Sequence, residues 1–310
     1  MDTPPGAPTS DTFDIISTVR SDAILLHSEE NTRVNATINC TLARSPVQFY
    51  MLSYHRDRML ASAKAFGWDT SLLEGPKAFE GLLDMLYEHL QRNYNSRTFA
   101  APLMIRIAFS VNSKFTVTSN GPHPGPAAID RLPHLSDVSR VSLLYPRSLS
   151  TIADPIMGAS FLRWRVFVMT FDKVTPTLST RHKTSYRLQY DKALALLPAH
   201  PADSVLNGVQ LQAEVLIVND FNEDWEIMEG CKFTPYFWRG NKWITPASRC
   251  GGNVGTTRRW ALEKGLCEEG VVKGGSVKYN DIIVLSNGAK GFQSGIVRPW
   301  KSLLPDDIKQ

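Results

Sequence analysis

The sequence predicts a mixed α/β protein with two domains. Continuous apolar runs, at residues 215–218 and from Trp164 onward, are typical of strands buried in a sheet. An apolar stripe at helical spacing between residues 76 and 92 is typical of a helix that packs against a core. A chain of 310 residues, 43% of them hydrophobic, is long enough for two such cores.

Composition and charge exclude several classes of protein. The net charge of +4 is small for this length and no long basic run is present, so the sequence does not predict nucleic-acid binding. The N-terminus lacks the basic and apolar regions of a signal peptide or membrane span, and residues 1–11 are predicted to form a disordered tail. The four cysteines show no metal-binding spacing (Cys40, Cys231, Cys250 and Cys267). We therefore expect reduced thiols, no metal, no membrane segment and a cytoplasmic protein.

The N-terminal domain is predicted to cover residues 12–150. We expect strands at residues 13–20, 23–26, 103–111, 114–118 and 140–146, and helices at residues 50–66 and 76–92. The Pro- and Gly-rich residues 121–126 are typical of a linker. We place the boundary between residues 150 and 151, because residues 147–160 look irregular and a new apolar run begins at Trp164.

The C-terminal domain, residues 151–310, contains a lysine in a setting that favours nucleophilic chemistry. Lys183 precedes a helical pattern, and we expect it at or near the N-terminus of that helix. The positive end of the helix dipole would lower the pKa of the Lys183 amine, which is what Schiff-base chemistry requires. A solvated lysine in a capping loop is the alternative.

The stretch 213–259 combines a buried strand, a hairpin and a glycine-rich turn around one carboxylate. Residues 215–218 form the strand, Glu229 follows it, and Gly240-Asn241 is the predicted hairpin turn. Three glycines allow the backbone to turn tightly (Gly251, Gly252 and Gly255). Thr256 and Thr257 then add hydroxyl donors just before a helical pattern. Free amides at that helix start favour a phosphate. The spacing matches neither a Walker loop nor a dinucleotide fingerprint, and a glycine-rich loop before a surface helix is the alternative.

These pieces, in this order, resemble the fold-type IV pyridoxal phosphate family, which contains the branched-chain and D-amino acid aminotransferases and aminodeoxychorismate lyase. The family's His-x-x-Arg-Leu helix matches residues 55–59, and its lysine block matches residues 182–184. Its glutamate block matches residues 229–231, and its Gly-x-Thr-Arg block matches residues 255–258. The resemblance implies a small N-terminal α/β domain, a larger C-terminal domain with a barrel-like sheet, and a homodimer.

The resemblance also implies a cofactor, pyridoxal 5'-phosphate, and roles for individual residues. Lys183 would form the Schiff base, and Glu229 would pair with the pyridine nitrogen so that the ring accepts electrons. Arg58 would bind the phosphate, because its guanidinium forks onto phosphate oxygens. Further donors on the phosphate side would be Gly255, Thr256, Thr257, Ser286 and Asn287.

Two positions depart from the family pattern. Pro235 stands where the family usually has Asn, which removes an amide side chain and a backbone donor. Leu188 stands five residues after the lysine, where branched-chain aminotransferases carry a tyrosine. Tyr186 and Tyr190 are the candidate replacements for that tyrosine.

Three functions are compatible with these residues. The first is a lyase resembling aminodeoxychorismate lyase, which converts 4-amino-4-deoxychorismate to 4-aminobenzoate and pyruvate for folate. The alternative is a class IV transaminase that acts on a D-amino acid, an amine or another amino donor, and the third is a non-catalytic cofactor-binding relative. In each catalytic case the partner is a small amine or amino acid, and the candidate substrate contacts are Thr18, Arg20, His55 and Arg187.

Overall fold

The computed structural model describes residues 13–36, 44–96, 102–119, 137–154, 162–197, 205–206, 209–210, 212–221 and 225–299. The chain divides into two compact units. The first unit comprises residues 1–145, 182–186 and 288–290, and the second comprises residues 146–181, 187–287 and 291–310. The boundary at 150/151 stays a prediction. The tail at residues 1–11, the linker at 121–126 and Cys40 lie outside the described residues.

The first unit contains an antiparallel sheet and four helices within the described part of the chain. The strands lie in the order β1 (Ile15–Ser21), β2 (Leu103–Phe109) and β3 (Phe115–Ser119). The helices are α1 (Glu29–Asn35), α2 (Leu52–Phe66), α3 (Gly75–Tyr94) and α4 (Asp137–Leu144). The predicted strands at 13–20, 103–111 and 114–118 and both predicted helices are confirmed.

The helix α3 shows how the sequence builds the core of this unit. It begins with a proline in its first turn and ends at Asn95, which has a left-handed conformation with φ of 51°. One face is fully apolar and buried (Ala78, Phe79, Leu82, Leu83, Leu86 and Leu90). This face packs with Ile105 and Ile107 of β2 in the same hydrophobic cluster.

Two predicted strands of the N-terminal region are wrong. Residues 23–26 lie in a 3-10 helix (Ala23–His27), because the Asp22 carboxylate accepts a hydrogen bond from the Ile24 amide at 3.2 Å and caps it. Residues 140–144 belong to α4, whose last turn continues with a bond from the Tyr145 amide to the Val141 carbonyl at 2.8 Å. A short apolar run fits a buried helix as well as a buried strand, so its pattern could not distinguish them. Part of the predicted irregular segment at 147–160 is also helical, as α5 (Leu149–Ala153).

The second unit is built on a mixed sheet that has eight strands among the described residues, in the order β11-β10-β9-β12-β13-β4-β7-β8. Their bounds are β4 (Leu162–Val174), β7 (Gln212–Asn219), β8 (Ile227–Gly230), β9 (Thr234–Arg239), β10 (Lys242–Pro246), β11 (Glu268–Gly270), β12 (Ile282–Asn287) and β13 (Gly291–Val297). A separate hairpin joins β5 (Val205–Leu206) to β6 (Val209–Gln210). The remaining helices are α6 (Leu178–Arg181), α7 (Leu188–Ala195) and α8 (Thr256–Glu263).

The central strand and the hairpin follow the prediction from sequence. In β7 every residue from Glu214 to Asn219 is buried, because β4 and β8 flank the strand and apolar clusters cover its faces. β9 and β10 pair antiparallel with Arg239 opposite Lys242. Gly240 and Asn241 both have positive φ, at 55° and 66°, as a two-residue turn of this kind requires.

None of the helices that the structure describes combines the length and the apolar character needed to cross a lipid bilayer.

Candidate active site

Lys183 lies in a short extended segment that runs antiparallel to the start of β1. Its carbonyl accepts a hydrogen bond from the Ile16 amide at 2.9 Å, and Thr184 forms a bridge with Ile15. Ser185 is bonded in both directions to Asp14, through its amide at 2.8 Å and its hydroxyl at 2.9 Å. The backbone on both sides of Lys183 is therefore fixed to the sheet of the first unit.

The predicted helix N-terminus at Lys183 is wrong. The following helix α7 begins only at Leu188, with Arg187 as its N-cap. A helix dipole acts within the first turn, so it does not act on Lys183. The lysine is instead held by strand pairing and by its neighbour His182, whose Nδ1 lies 3.1 Å from the Ser62 hydroxyl on α2.

A hydrogen-bonded chain on the same helix joins His55 and Arg58 to β1. The two residues are three positions apart, so they share a face of α2. The Ser17 hydroxyl lies 2.7 Å from Nδ1 of His55 and accepts a bond from Nη2 of Arg58 at 2.7 Å. Ser17 and His55 are buried, while Arg58 is only partly buried. Ser17 thus fixes the direction of the guanidinium.

His55 is neutral at physiological pH. Burial is the main cause that lowers its pKa well below the usual value, and the charges of Arg58 and Lys183 lower it further. A backbone hydrogen bond with Gly288 raises the pKa, with an effect smaller than that of Arg58 and larger than that of Lys183. Both cations that act on the His55 imidazole, Arg58 and Lys183, belong to the first unit.

Thr18 and Arg20 lie on the other side of β1, since residues alternate between the two faces of a strand. Arg20 is only 1% exposed, and both its Nε and its Nη2 donate to the Asp22 carboxylate, at 2.9 and 2.5 Å. This ion pair is a structural contact next to the cap of the 3-10 helix. The proposed contacts of Thr18 and Arg20 with substrate stay predictions.

In the second unit, Glu229 lies on β8, and a tyrosine of α7 donates to its carboxylate. The Tyr190 hydroxyl on α7 donates to Oε1 of Glu229 at 2.5 Å. Burial, followed by the charge of Glu229, raises the pKa of Tyr190 well above its usual value, so the hydroxyl remains a donor. Of the two candidate tyrosines, Tyr190 contacts the glutamate, whereas Tyr186 packs against the core of the first unit.

Arg187 is occupied by contacts at the start of α7. Its Nη2 donates to the Cys231 carbonyl at 2.9 Å, and its guanidinium lies 5.0 Å from the centre of the Tyr190 ring. It also forms an ion pair with the exposed Asp191 at 3.6 Å, which adds little stability. Its proposed contact with substrate stays a prediction. Leu188, the position of the absent tyrosine, is 66% exposed.

The glycine-rich loop lies directly against β8. A Cβ atom on Gly252 would come within 2.4 Å of the Met228 carbonyl oxygen and 3.1 Å of Cβ of Glu229. Only glycine therefore allows the loop to approach the glutamate so closely. The loop and Glu229 line one small cavity, into which Asn253 also extends. Within the described structure, the buried Oδ1 of Asn253 has no hydrogen-bond partner.

The start of α8 has the features of a phosphate site. Gly255 is the N-cap, and Thr256 and Thr257 are the first two helical residues. The first amides of a helix have no partner within it, and they form the positive end of its dipole. The Thr256 side chain is 2% exposed, yet no described residue forms a hydrogen bond with its hydroxyl. A buried hydroxyl without a partner is costly, so this donor fits a phosphate oxygen.

The other predicted phosphate residues lie at the neighbouring strand end. The hydroxyls of Thr257 and Tyr236 each lie 2.7 Å from the Ser286 hydroxyl. Asn287 donates its side-chain amide to the Lys232 carbonyl at 3.2 Å. Thr257 and Ser286 are thus brought together with the start of α8, whereas Asn287 fixes the turn after β8.

Arg258 and Pro235 have structural roles in this unit. Nη2 of the buried Arg258 donates to the Pro246 carbonyl at 2.9 Å and also contacts Glu269, which fixes α8 to β10 and β11. β9 continues through Pro235, whose carbonyl accepts a bond from the Thr245 hydroxyl at 3.1 Å. The departure at Pro235 therefore leaves the strand intact.

Three features of the site were not predicted from the sequence. They are the position of Ser17 between His55 and Arg58, the bond of Tyr236 to Ser286, and the close contact of Gly252 with β8. Ser17 is one of many serines in the sequence. It lies between His55 and Arg58 only because β1 packs against α2 in the folded protein. No group of three or more His, Cys, Asp or Glu side chains within the described ranges is arranged to hold a metal ion.

Comparison with known proteins identifies the family. The family model described as amino-transferase class IV matches residues 40–295, which is most of the chain. No curated protein sequence matches the chain.

Solved structures share the fold at low sequence identity. A provisionally assigned amino-acid aminotransferase from Mesorhizobium loti is 17% identical, covers 92% of this chain and 100% of its own, and has a TM-score of 0.58. The branched-chain amino acid aminotransferase from Escherichia coli is 14% identical, with 92% and 76% covered and a TM-score of 0.53. A provisionally assigned 4-amino-4-deoxychorismate lyase from Legionella pneumophila is 11% identical, with 92% and 82% covered and a TM-score of 0.54.

The predicted α/β fold and the resemblance to fold-type IV enzymes are confirmed by these matches. Members of this family use pyridoxal phosphate and include aminotransferases and lyases. The chain belongs to the class IV aminotransferase family and is a pyridoxal phosphate-dependent enzyme.

Proposed function

We propose that this enzyme is a lyase that converts 4-amino-4-deoxychorismate to 4-aminobenzoate and pyruvate. The observation that carries the choice is Leu188. Branched-chain aminotransferases have a tyrosine at this position, whereas here a leucine points outward with 66% of its surface exposed. The nearby Tyr190 does not replace it, because its hydroxyl is bonded to Glu229.

The residues of the chain fit pyridoxal phosphate. The unpartnered Thr256 hydroxyl and the amides at the start of α8 suit the phosphate, with Gly255 allowing close approach and Thr257 and Ser286 beside it. We assign a further phosphate contact to Arg58, which Ser17 holds in one direction. We assign the pyridine nitrogen to Glu229. When bound, the cofactor supplies an electron sink for the substrate.

Lys183 is the residue that we assign to covalent attachment and proton transfer. A primary amine on a backbone fixed to β1 can take a proton from the substrate and return it at one defined place. In the lyase reaction a C–O bond of 4-amino-4-deoxychorismate breaks, pyruvate leaves, and the ring becomes aromatic. Burial lowers the pKa of the neighbouring His55 and disfavours its charged form, so we assign the proton transfer to Lys183.

Transamination is the second candidate, and the family description favours it. A transaminase needs the same lysine, glutamate and phosphate contacts. In that case Lys183 moves a proton between the substrate carbon and the cofactor, and a keto acid leaves. A D-amino acid or an amine would then be the donor.

Product analysis separates the candidates. Purified holoenzyme is given 4-amino-4-deoxychorismate in one reaction, and D-amino acids or amines with a keto acid in another. The lyase proposal predicts equal amounts of 4-aminobenzoate and pyruvate, and no new amino acid. Lys183→Ala should abolish both products. Lys192→Ala removes an exposed lysine that is paired with Asp172 and should keep them. A new amino acid without 4-aminobenzoate would establish the transaminase, and activity on neither set would contradict both candidates.

We also propose a cytoplasmic homodimer. The described cysteines Cys231, Cys250 and Cys267 are free and buried, which suits a reducing compartment. Sedimentation should give twice the mass of the 34.6 kDa chain. A monomer at working concentration would contradict the dimer.

A further inference from the structure

We propose that Tyr190 is a positioning residue that keeps the proton on the pyridine nitrogen of the cofactor by acting on Glu229. The inference rests on the proposed function, in which Glu229 is the partner of that nitrogen. The proton between a carboxylate and a pyridine can lie on either group. A third group that stabilises the carboxylate anion shifts the proton toward the nitrogen.

The bond between Tyr190 and Glu229 can have only one direction. A phenol hydroxyl has one proton to give, and an ionised carboxylate only accepts. The distance of 2.5 Å between the hydroxyl and Oε1 is typical of a charge-assisted bond. Such a bond favours the charged form of the acid. Tyr190 therefore lowers the basicity of Glu229 without removing its charge.

The Tyr190 ring is fixed, so the hydroxyl cannot turn away. It is 7% exposed and packs in a cluster with Met169, Ile217 and Cys231. The Cys231 thiol also contacts the Tyr190 carbonyl at 3.6 Å. The ring, its backbone and the end of β8 therefore form one packed group.

Arg187 completes this group. Its guanidinium lies over the Tyr190 ring at 5.0 Å and donates to the Cys231 carbonyl at 2.9 Å. Cys231 is two residues after Glu229 on the same chain segment. One arginine thus joins the first turn of α7 to the turn that follows the glutamate.

The test compares Tyr190→Phe with the wild-type holoenzyme. Cofactor labelled with ¹⁵N at the ring reports the position of the proton through its chemical shift, and titration gives the dissociation constant of the cofactor. We expect the signal of Tyr190→Phe to move toward that of the unprotonated pyridine, and the affinity to fall by about tenfold or more. Tyr145→Phe is the matched control, because it removes another buried hydroxyl, one that bonds to Asn31 in the first unit. This control should match the wild type in both measurements.

A second replacement keeps the test valid if Tyr190→Phe does not fold. Incorporation of 3-fluorotyrosine at position 190 keeps the ring and makes the hydroxyl a stronger donor. It should move the ¹⁵N signal in the opposite direction, toward the protonated pyridine.

A ¹⁵N signal that is the same in the wild type and in either Tyr190 replacement would overturn the inference. Failure of the proposed function would instead be visible in the wild type, as no bound cofactor or a ring nitrogen unchanged from free cofactor.

Discussion

At the scale of the residue, Glu214 is a buried carboxylate that makes stability depend on pH. It is fully buried on β7, and burial raises its pKa from 4.5 to about 7, although the Val215 and Lys232 amides donate to it. The folded state therefore binds this proton more tightly than the unfolded state. Stability contributed by the protonated form is present below about pH 4.5 and is lost as pH rises through about 7.

Glu214→Gln should remove this dependence. Relative to the variant, the free energy of unfolding of the wild type should fall by on the order of 3 kcal/mol between pH 4.5 and pH 8. Urea denaturation of both proteins across this range measures the difference. Glu88→Gln, on the exposed face of α3, is the control and should follow the wild type. Parallel curves for the wild type and Glu214→Gln would contradict the assignment.

Ser17 provides a second test at this scale. Ser17→Ala leaves Nδ1 of His55 and Nη2 of Arg58 without the hydroxyl that joins them. We expect a loss of about 1–3 kcal/mol in the free energy of unfolding, together with weaker binding of pyridoxal phosphate. Thr18→Ala, on the opposite side of the same strand, should change the stability by less than about 0.5 kcal/mol. Equal effects of the two substitutions on cofactor binding would contradict the role of Ser17.

Some residues of the candidate site can be selected from the sequence, and others are found only in the structure. Lys183, Glu229 and Thr256 could be selected from sequence because their residue types and spacing follow a chemical pattern. The partners Ser17, Tyr190 and Glu214 depend on which residues a strand register or helix face brings together. That information is distributed over the fold, so no local pattern contains it.

At the scale of the element, the glycine-rich loop needs its close contact with β8. Gly252→Ala would place a methyl group 2.4 Å from the Met228 carbonyl oxygen, so the loop must move away from Glu229. We expect a loss of about 1–3 kcal/mol in stability and a weaker affinity for the cofactor. Gly81→Ala is the control, because nothing lies within 4 Å of the new methyl group on α3. It should stabilise the protein by about 0.5–1 kcal/mol. Thermal and urea denaturation measure both changes in stability. If Gly252→Ala left the stability unchanged, the close contact of the loop with β8 would be contradicted.

Elements with strong local signals were predicted correctly, and short apolar runs were not. The α3 stripe keeps helical spacing from Ala78 to Leu90, and the Gly240-Asn241 turn has a conformation that few residues adopt, so both could be identified. The 3-10 helix at Ala23–His27 and the helix α4 are short, and their apolar residues show no decisive period. The helix after Lys183 was placed too early, because strand pairing with β1 extends the chain up to Ser185.

At the scale of the whole molecule, the residues assigned to the cofactor are distant in sequence. Arg58 and Lys183 belong to the first unit, and Glu229 and Thr256 belong to the second. Residues 182–186 belong to the first unit although they follow a long segment of the second. Residues 182–186 belong to the first unit because Lys183 and Ser185 form hydrogen bonds with the start of β1 and with Asp14 just before it. A single boundary placed from composition cannot predict this return of the chain to the first unit.

The assignment of Lys183 as the residue that binds the cofactor covalently can be tested directly. Holoenzyme is reduced with borohydride, digested, and analysed by mass spectrometry. We expect one pyridoxyl phosphate adduct, on Lys183, and none in Lys183→Ala. An adduct on a different lysine, or an unmodified Lys183 in fully loaded enzyme, would contradict it.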